Sequence, residues 1–224
     1  MVRLLIFLLL FLCNVSTAQQ IFSAIGASAS FLEMKQTDPQ DITRSAYPRG
    51  IVRPNLALGY ETSSWKKLSL TIAGTYFTSG GLTSNYSTSQ PKQLLFDNFC
   101  LGASGNYYIG DSKTACYIGL GPRLDYIRSQ EGVYSEAAGD SYYQRAVRVL
   151  KFGVTGSLGM NFQFDNVTLG IKANYYYRPE IFNKDFSTQV NTAGLYNPYR
   201  NITIRDNVFD LQFIIGYRFG VKKE

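Results

Sequence analysis

The chain of 224 residues contains no histidine, and that absence removes most familiar catalytic plans. Ser-His-Asp and Cys-His nucleophilic systems and histidine metal sites all depend on an imidazole. Paired carboxylates are the remaining acid and base option, but Glu131, Glu136 and Asp140 read as solvated loop charges. The phrases GASG (102–105) and GLGP (119–122) lack the lysine and following helix of a phosphate cradle. Their glycines fit a narrow lumen in which small inward residues make room for large ones. The expectation is a chain without catalytic residues, cofactor or metal site.

What chemistry remains lies in charges that fall on one parity of alternating segments. Arg53, Glu61, Arg123, Asp125, Lys151, Lys172, Arg178, Asp210 and Arg218 share the polar face of their segments. Buried charges must be paired or hydrated, so the plainer reading is a salt-bridged, water-containing plug. The sharper reading is an anion site near the outer mouth, around Arg123, Lys151 and Arg178. Cys100 shares parity with Asn98 and Ser104 on the polar face, and Cys116 with Ile118 and Leu120 on the apolar one. Counting from a turn near Asp111 sets Cys100 opposite the neighbourhood of Gly121. A disulfide needs Cα atoms within about 7 Å and converging side chains, so two free thiols are expected.

The elements that must position these groups are strands. Abundant Tyr, Phe and Gly suit pleated segments separated by turns. From Val167 to Arg178, Val167, Leu169, Ile171, Ala173, Tyr175 and Tyr177 alternate with Thr168, Gly170, Lys172, Asn174, Tyr176 and Arg178, which is the two-residue period of a strand. Leu150 to Phe162, Phe209 to Phe219, Leu68 to Tyr76 and Ile51 to Glu61 repeat the pattern. Ile21 to Leu32, Leu95 to Tyr108 and Ala115 to Tyr126 bring the expected total to eight, the first being the least regular. Pro54 and Pro122 fall inside strands and cannot donate to a ladder, which predicts bulges or local strand ends at both.

Connections alternate between long and short. The long ones run from Glu33 to Gly50, Thr78 to Lys92, Ser129 to Ala146 and Pro179 to Asp206; the short ones hold TSSWKK, GDSK and DN. An even number of antiparallel strands with long loops at one rim and tight turns at the other predicts an eight-stranded antiparallel up-and-down transmembrane β-barrel, an all-β fold. Hydrocarbon tolerates no unpaired sheet edge, so the first and last strands must meet. A soluble barrel of the lipocalin sort also alternates. Tyr60, Tyr76, Tyr126, Tyr175, Tyr177, Tyr217 and Phe219 near strand ends resemble the aromatic girdles of a membrane barrel, and the Gly-, Ser-, Thr- and Asn-rich faces suit a filled lumen.

At the start, Arg3, the apolar run LLIFLLLFL and the small, polar stretch CNVSTAQQ have the layout of a signal peptide over residues 1–18. Ser16 and Ala18 suit cleavage after Ala18, leaving Gln19 as the first mature residue. The run is shorter than the roughly 20 residues of a spanning helix, and Leu12 before Cys13 does not suit lipid attachment. Residues 19–224 are expected to form one barrel domain of formal charge +5, since Arg3 is the one charged residue in the signal of a chain carrying +6.

The phrases NYYIG (106–110), YIGLGPRLDYI (117–127) and NVFDLQFIIGYRFG (207–220) resemble the small outer-membrane β-barrel domain of Bacteroidota, labelled PorT-like or porin-family. The likeness covers nearly all of residues 19–224 and its motifs are architectural. It implies the bacterial outer membrane, reached through the periplasm. It also weighs against catalysis, because the enzymes among outer-membrane barrels rely on a histidine. Three roles are compatible with it: a closed barrel that binds or supports through its long outer loops, an accessory component of secretion, or a narrow porin-like channel. Eight strands leave a filled interior, which disfavours the channel. The expected partners are outer-membrane lipid and a surface or periplasmic protein, with no nucleic acid and a monomeric barrel. Lys66, Lys67, Lys222 and Lys223 would face headgroups or a periplasmic partner.

Overall fold

The structure, a computed structural model, describes residues 19–37, 43–46, 49–62, 67–83, 92–110, 113–129, 148–185 and 201–219. The expected signal peptide with Ala18, the carboxylates Glu131, Glu136 and Asp140, and Lys66, Lys222 and Lys223 lie outside the described residues. Alternating residues form the strands β1 (Gln19–Thr37), β2 (Thr43–Ala46), β3 (Arg49–Glu61), β4 (Leu68–Thr83), β5 (Lys92–Gly110), β6 (Thr114–Ser129), β7 (Arg148–Phe164), β8 (Val167–Tyr177), β9 (Phe182–Asp185) and β10 (Asn201–Phe219). All pair antiparallel, in the order β2-β1-β3-β4-β5-β6-β7-β8-β10-β9, and β1 also pairs with β10. That last ladder runs from Gln19↔Phe219 to Thr37↔Asn201 and closes the sheet into an eight-stranded up-and-down barrel.

Beyond the eight wall strands, β2 extends the β1 hairpin and β9 the β10 hairpin above the outer rim. Much of what reads in the sequence as long loop is therefore strand. β1 continues to Thr37, β4 to Thr83, and β10 begins at Asn201. There the outward positions are polar, as Thr203, Arg205 and Asn207 are on β10, so the outward apolar alternation that marks a wall strand stops before the strand does.

Even β8, the shortest wall strand at 11 residues, reaches the roughly 9–11 that a tilted strand needs to cross a bilayer. Its outward side chains are apolar, as are those of its neighbours: Leu158, Ile171, Phe213 and Leu120 are exposed while the residues flanking each in sequence are buried or half-buried. In water, burying this side is what a fold would do; here it is the lipid face. Around it, Tyr76, Phe99 and Tyr126 adjoin ring to ring, with centroids 4.9 and 6.4 Å apart, and Tyr175 and Phe209 lie 4.7 Å apart. At the short-turn end Tyr217 and Phe219 meet edge to face at 5.2 Å. These are aromatic belts at the two edges of an apolar band.

The two prolines behave differently. Between Gly50↔Gly81 and Asn55↔Phe77 the β3–β4 ladder lapses, and residues 51–54 stand against 78–80, so the irregularity expected at Pro54 is present. Pro122 neither ends β6 nor bulges it, contrary to expectation. It pairs with Val154, and on its other side the register of Gly102↔Arg123 resumes unchanged at Gly105↔Leu120. Gly121 lets the strands absorb the missing donor, because a Cβ there would fall 1.9 Å from the carbonyl oxygen of Ala103.

Candidate functional site

All nine charges assigned to the lumen by parity point inward, none of them exposed. Large side chains and polar networks occupy most of the interior. Its aromatic members, Phe22, Tyr108, Tyr117, Phe77 and Tyr176, break the polar parity of the inward faces. They fit because the in-register partner on the adjoining strand is bare: a Cβ on Gly59 would meet the Phe22 ring at 2.4 Å, and one on Gly159 the Tyr117 ring at 2.3 Å.

Nearest the outer mouth, Arg178 is the hub. Its Nε donates to Asp206 Oδ1 at 2.6 Å and its Nη2 to Asp206 Oδ2, a bidentate pair. Its Nη1 donates to Asn98 Oδ1 at 2.6 Å and reaches Asp125 Oδ2 at 3.4 Å, and Nη2 also reaches Ser79 Oγ at 3.3 Å. Asp206 is absent from the parity set because it reads in the sequence as the end of a loop; the extension of β10 brings it inside. Asp125 joins the two arginines, since Arg123 Nε donates to its Oδ1 at 2.6 Å.

One level deeper, the Arg123 guanidinium lies over the Tyr176 ring at 3.9 Å and 5.7 Å from that of Phe77, and the two rings stack at 5.4 Å. Its Nη2 donates to Cys100 Sγ at 2.9 Å, while its Nη1 is buried with no partner. Tyr176 donates its hydroxyl to Asp210 Oδ2, and Asp210 also accepts from Asn174 at 2.6 Å and Gln212 at 3.2 Å. Gln212 continues to Asn55 and Asn55 to Ser28.

Toward the short-turn rim, Glu61 accepts from Ser69 and Tyr108. Arg218 donates to Gln163 and Gln20, holding the base of the barrel. Arg53 and Lys151 face inward farther up, and Lys151 pairs in register with Asp125. Parity therefore brings Arg123, Asp125 and Arg178 into one cluster, whereas Glu61 and Arg218 stand apart from it. The outer-mouth anion site expected around Arg123, Lys151 and Arg178 finds both guanidinium groups already directed at aspartates.

Lys172 is different. It faces inward between Glu61 and Asp210, and it forms no ion pair or hydrogen bond with a described residue. Both described cysteines are free, Cys100 buried and Cys116 exposed on the outer face. Cys100 pairs with Asp125 rather than near Gly121, because the hairpin centre lies beyond Asp111: Gly110 pairs with Ala115. Among the described residues no group of three or more Cys, Asp or Glu gathers to hold a metal ion.

No protein-family model matches the chain, and no curated protein matches it. Among solved structures it is similar to outer membrane protein OprG from Pseudomonas aeruginosa at 12% identity, over 92% of this chain and 98% of that one, with a TM-score of 0.53. It is also similar to outer membrane protein AlkL, solved by solid-state NMR in DMPC lipid bilayers, at 12% identity over 92% of each chain with a TM-score of 0.50. At these identities the likeness is one of fold, the small barrel of bacterial outer-membrane proteins.

Proposed function

We propose that this chain is a non-enzymatic integral protein of the bacterial outer membrane. Its lumen is closed, and it acts through its outer hairpins as a binding or structural component. The observation that carries the reading is the succession of barriers inside the wall. The Arg178–Asp206 pair, the Arg123–Tyr176–Phe77 stack and the Glu61–Tyr108 contact lie at different depths, and every arginine of the upper cluster is held by a carboxylate. Such a barrel conducts poorly but is rigid, a suitable base for hairpins that rise above the aromatic belt. The absence of histidine from the chain supports a role without catalysis. The PorT-like, porin-family membership implied by NVFDLQFIIGYRFG belongs to the same proposal, as does residence as a monomer in outer-membrane lipid.

Planar-bilayer recording of the refolded barrel tests the reading. A closed lumen gives no steady conductance steps. Regular large steps would overturn it in favour of a channel.

A further inference from the structure

Below the Arg123–Tyr176 stack the lumen keeps a cavity of about 50 Å³, bordered by Lys172, Arg123, Asn174, Thr75 and Thr155 among others. Two cationic side chains border it without a full set of partners. Arg123 is 3% exposed, yet its Nη1 has no hydrogen-bond acceptor, and Lys172 feels Asp210 and Glu61 across space without an ion pair to either. A buried cation left in this way is costly. From these residues we infer that the cavity is a binding site for one small monovalent anion of halide size, held between Lys172 and Arg123.

Hydrogen-bond stoichiometry separates an anion from water. An ammonium has three donors and no acceptor, and a guanidinium nitrogen likewise only donates. Against them stands one unpartnered acceptor at the cavity, Asn174 Oδ1. Water brings donors as well as acceptors, so it leaves this excess of donors in place, whereas a halide only accepts. The hydroxyls of Thr75 and Thr155 on the same wall donate as well as accept and can turn a donor to an anion.

Charge points the same way: Lys172 and Arg123 are the charged residues among those that line the cavity, and no carboxylate lines it. Size sets the ligand class. One water needs roughly 10–15 Å³ of such volume, so the cavity takes an ion the size of chloride or bromide but not an organic acid such as gluconate.

The test refolds the protein in sodium chloride and in sodium gluconate at equal ionic strength and follows thermal unfolding in detergent. The unfolding midpoint is expected to be higher in chloride, by roughly 5 °C at saturation, and to rise hyperbolically with chloride concentration. Lys172→Met should abolish the difference between the salts, whatever its effect on the midpoint itself. Equal wild-type midpoints in the two salts, or a Lys172→Met protein that keeps the difference, would overturn the proposal. If that variant does not fold, anomalous scattering from wild-type crystals grown in bromide decides. A peak between Lys172 and Arg123 supports the site, and water alone in the cavity refutes it.

Discussion

Ser30 on β1 bonds to both backbone groups of Gly80 on β4: its hydroxyl donates to the Gly80 carbonyl at 3.1 Å and accepts from the Gly80 amide at 2.9 Å. The two residues are not on adjacent strands. β3 lies between them, and it is at this height that the β3–β4 ladder lapses beside Pro54. One hydroxyl thus replaces two missing ladder bonds from inside the barrel, and Gly80, at φ 155°, adopts a backbone conformation that suits glycine. Ser30→Ala leaves a buried donor and acceptor unpaired, at a cost of about 1–3 kcal/mol. Urea unfolding from bilayers should show that loss, and amide exchange should quicken at Gly80 before it quickens on the β1–β10 ladder. Unchanged exchange at Gly80 would mean that the hydroxyl does not carry this function.

Arg178 and Asp206 form an enclosed ion pair, with the two side chains 1% and 0% exposed. Removing one member strands the other charge. Arg178→Met is expected to cost about 3–5 kcal/mol. Combining it with Asp206→Leu removes the stranded carboxylate and should recover most of the loss, with Asp125 still held by Arg123. A double variant no more stable than the single one would show that the hub acts through Asn98 and Ser79 instead.

The two thiols should be distinguishable by access. Cys116 lies on the outer face and Cys100 beneath Arg123 inside the wall. In detergent a maleimide is expected to add one label to the folded protein, at Cys116, and a second at Cys100 after unfolding. The intact mass should not change on reduction. A mass shift with reductant, or labelling of Cys100 in the folded barrel, contradicts this arrangement.

How much of this was legible in the residues follows from what each feature depends on. The inward placement of Arg123, Asp125 and Asp210 depends only on the two-residue period, which a strand cannot evade without turning its whole apolar face inward. Asp206 depends on where β10 begins, and the polar outward positions Thr203, Arg205 and Asn207 carry no apolar stripe to mark the start. The Arg123–Tyr176 contact depends on which strands stand across the lumen from one another, information absent from any single segment. Parity gives Tyr176, Tyr108 and Phe77 the polar side of their strands, but no rule of alternation reveals that glycines opposite, such as Gly159 facing Tyr117, make room for rings. Pro122 misleads for a related reason: the loss of a donor is visible, and the absent Cβ of Gly121 that compensates for it acts on the neighbouring strand.

Which side of the wall meets lipid is decided by Leu158. It sits midway along β7, 60% exposed, in register with Ile118 and Ala173 on its neighbours. In a soluble barrel a charge at such an exposed position changes stability little. In a membrane barrel it is placed in hydrocarbon, where arginine near the midplane costs about 2–4 kcal/mol and less toward the interfaces. Leu158→Arg is therefore expected to lower stability by that amount in phospholipid bilayers. Arg128→Lys, at the exposed outer end of β6, should leave it nearly unchanged. Folding both variants into vesicles and titrating with guanidinium measures the difference. If Leu158→Arg proves as mild as the change at the rim, the outward apolar band is not the membrane face, because no other term in the barrel would offset a charge buried in hydrocarbon.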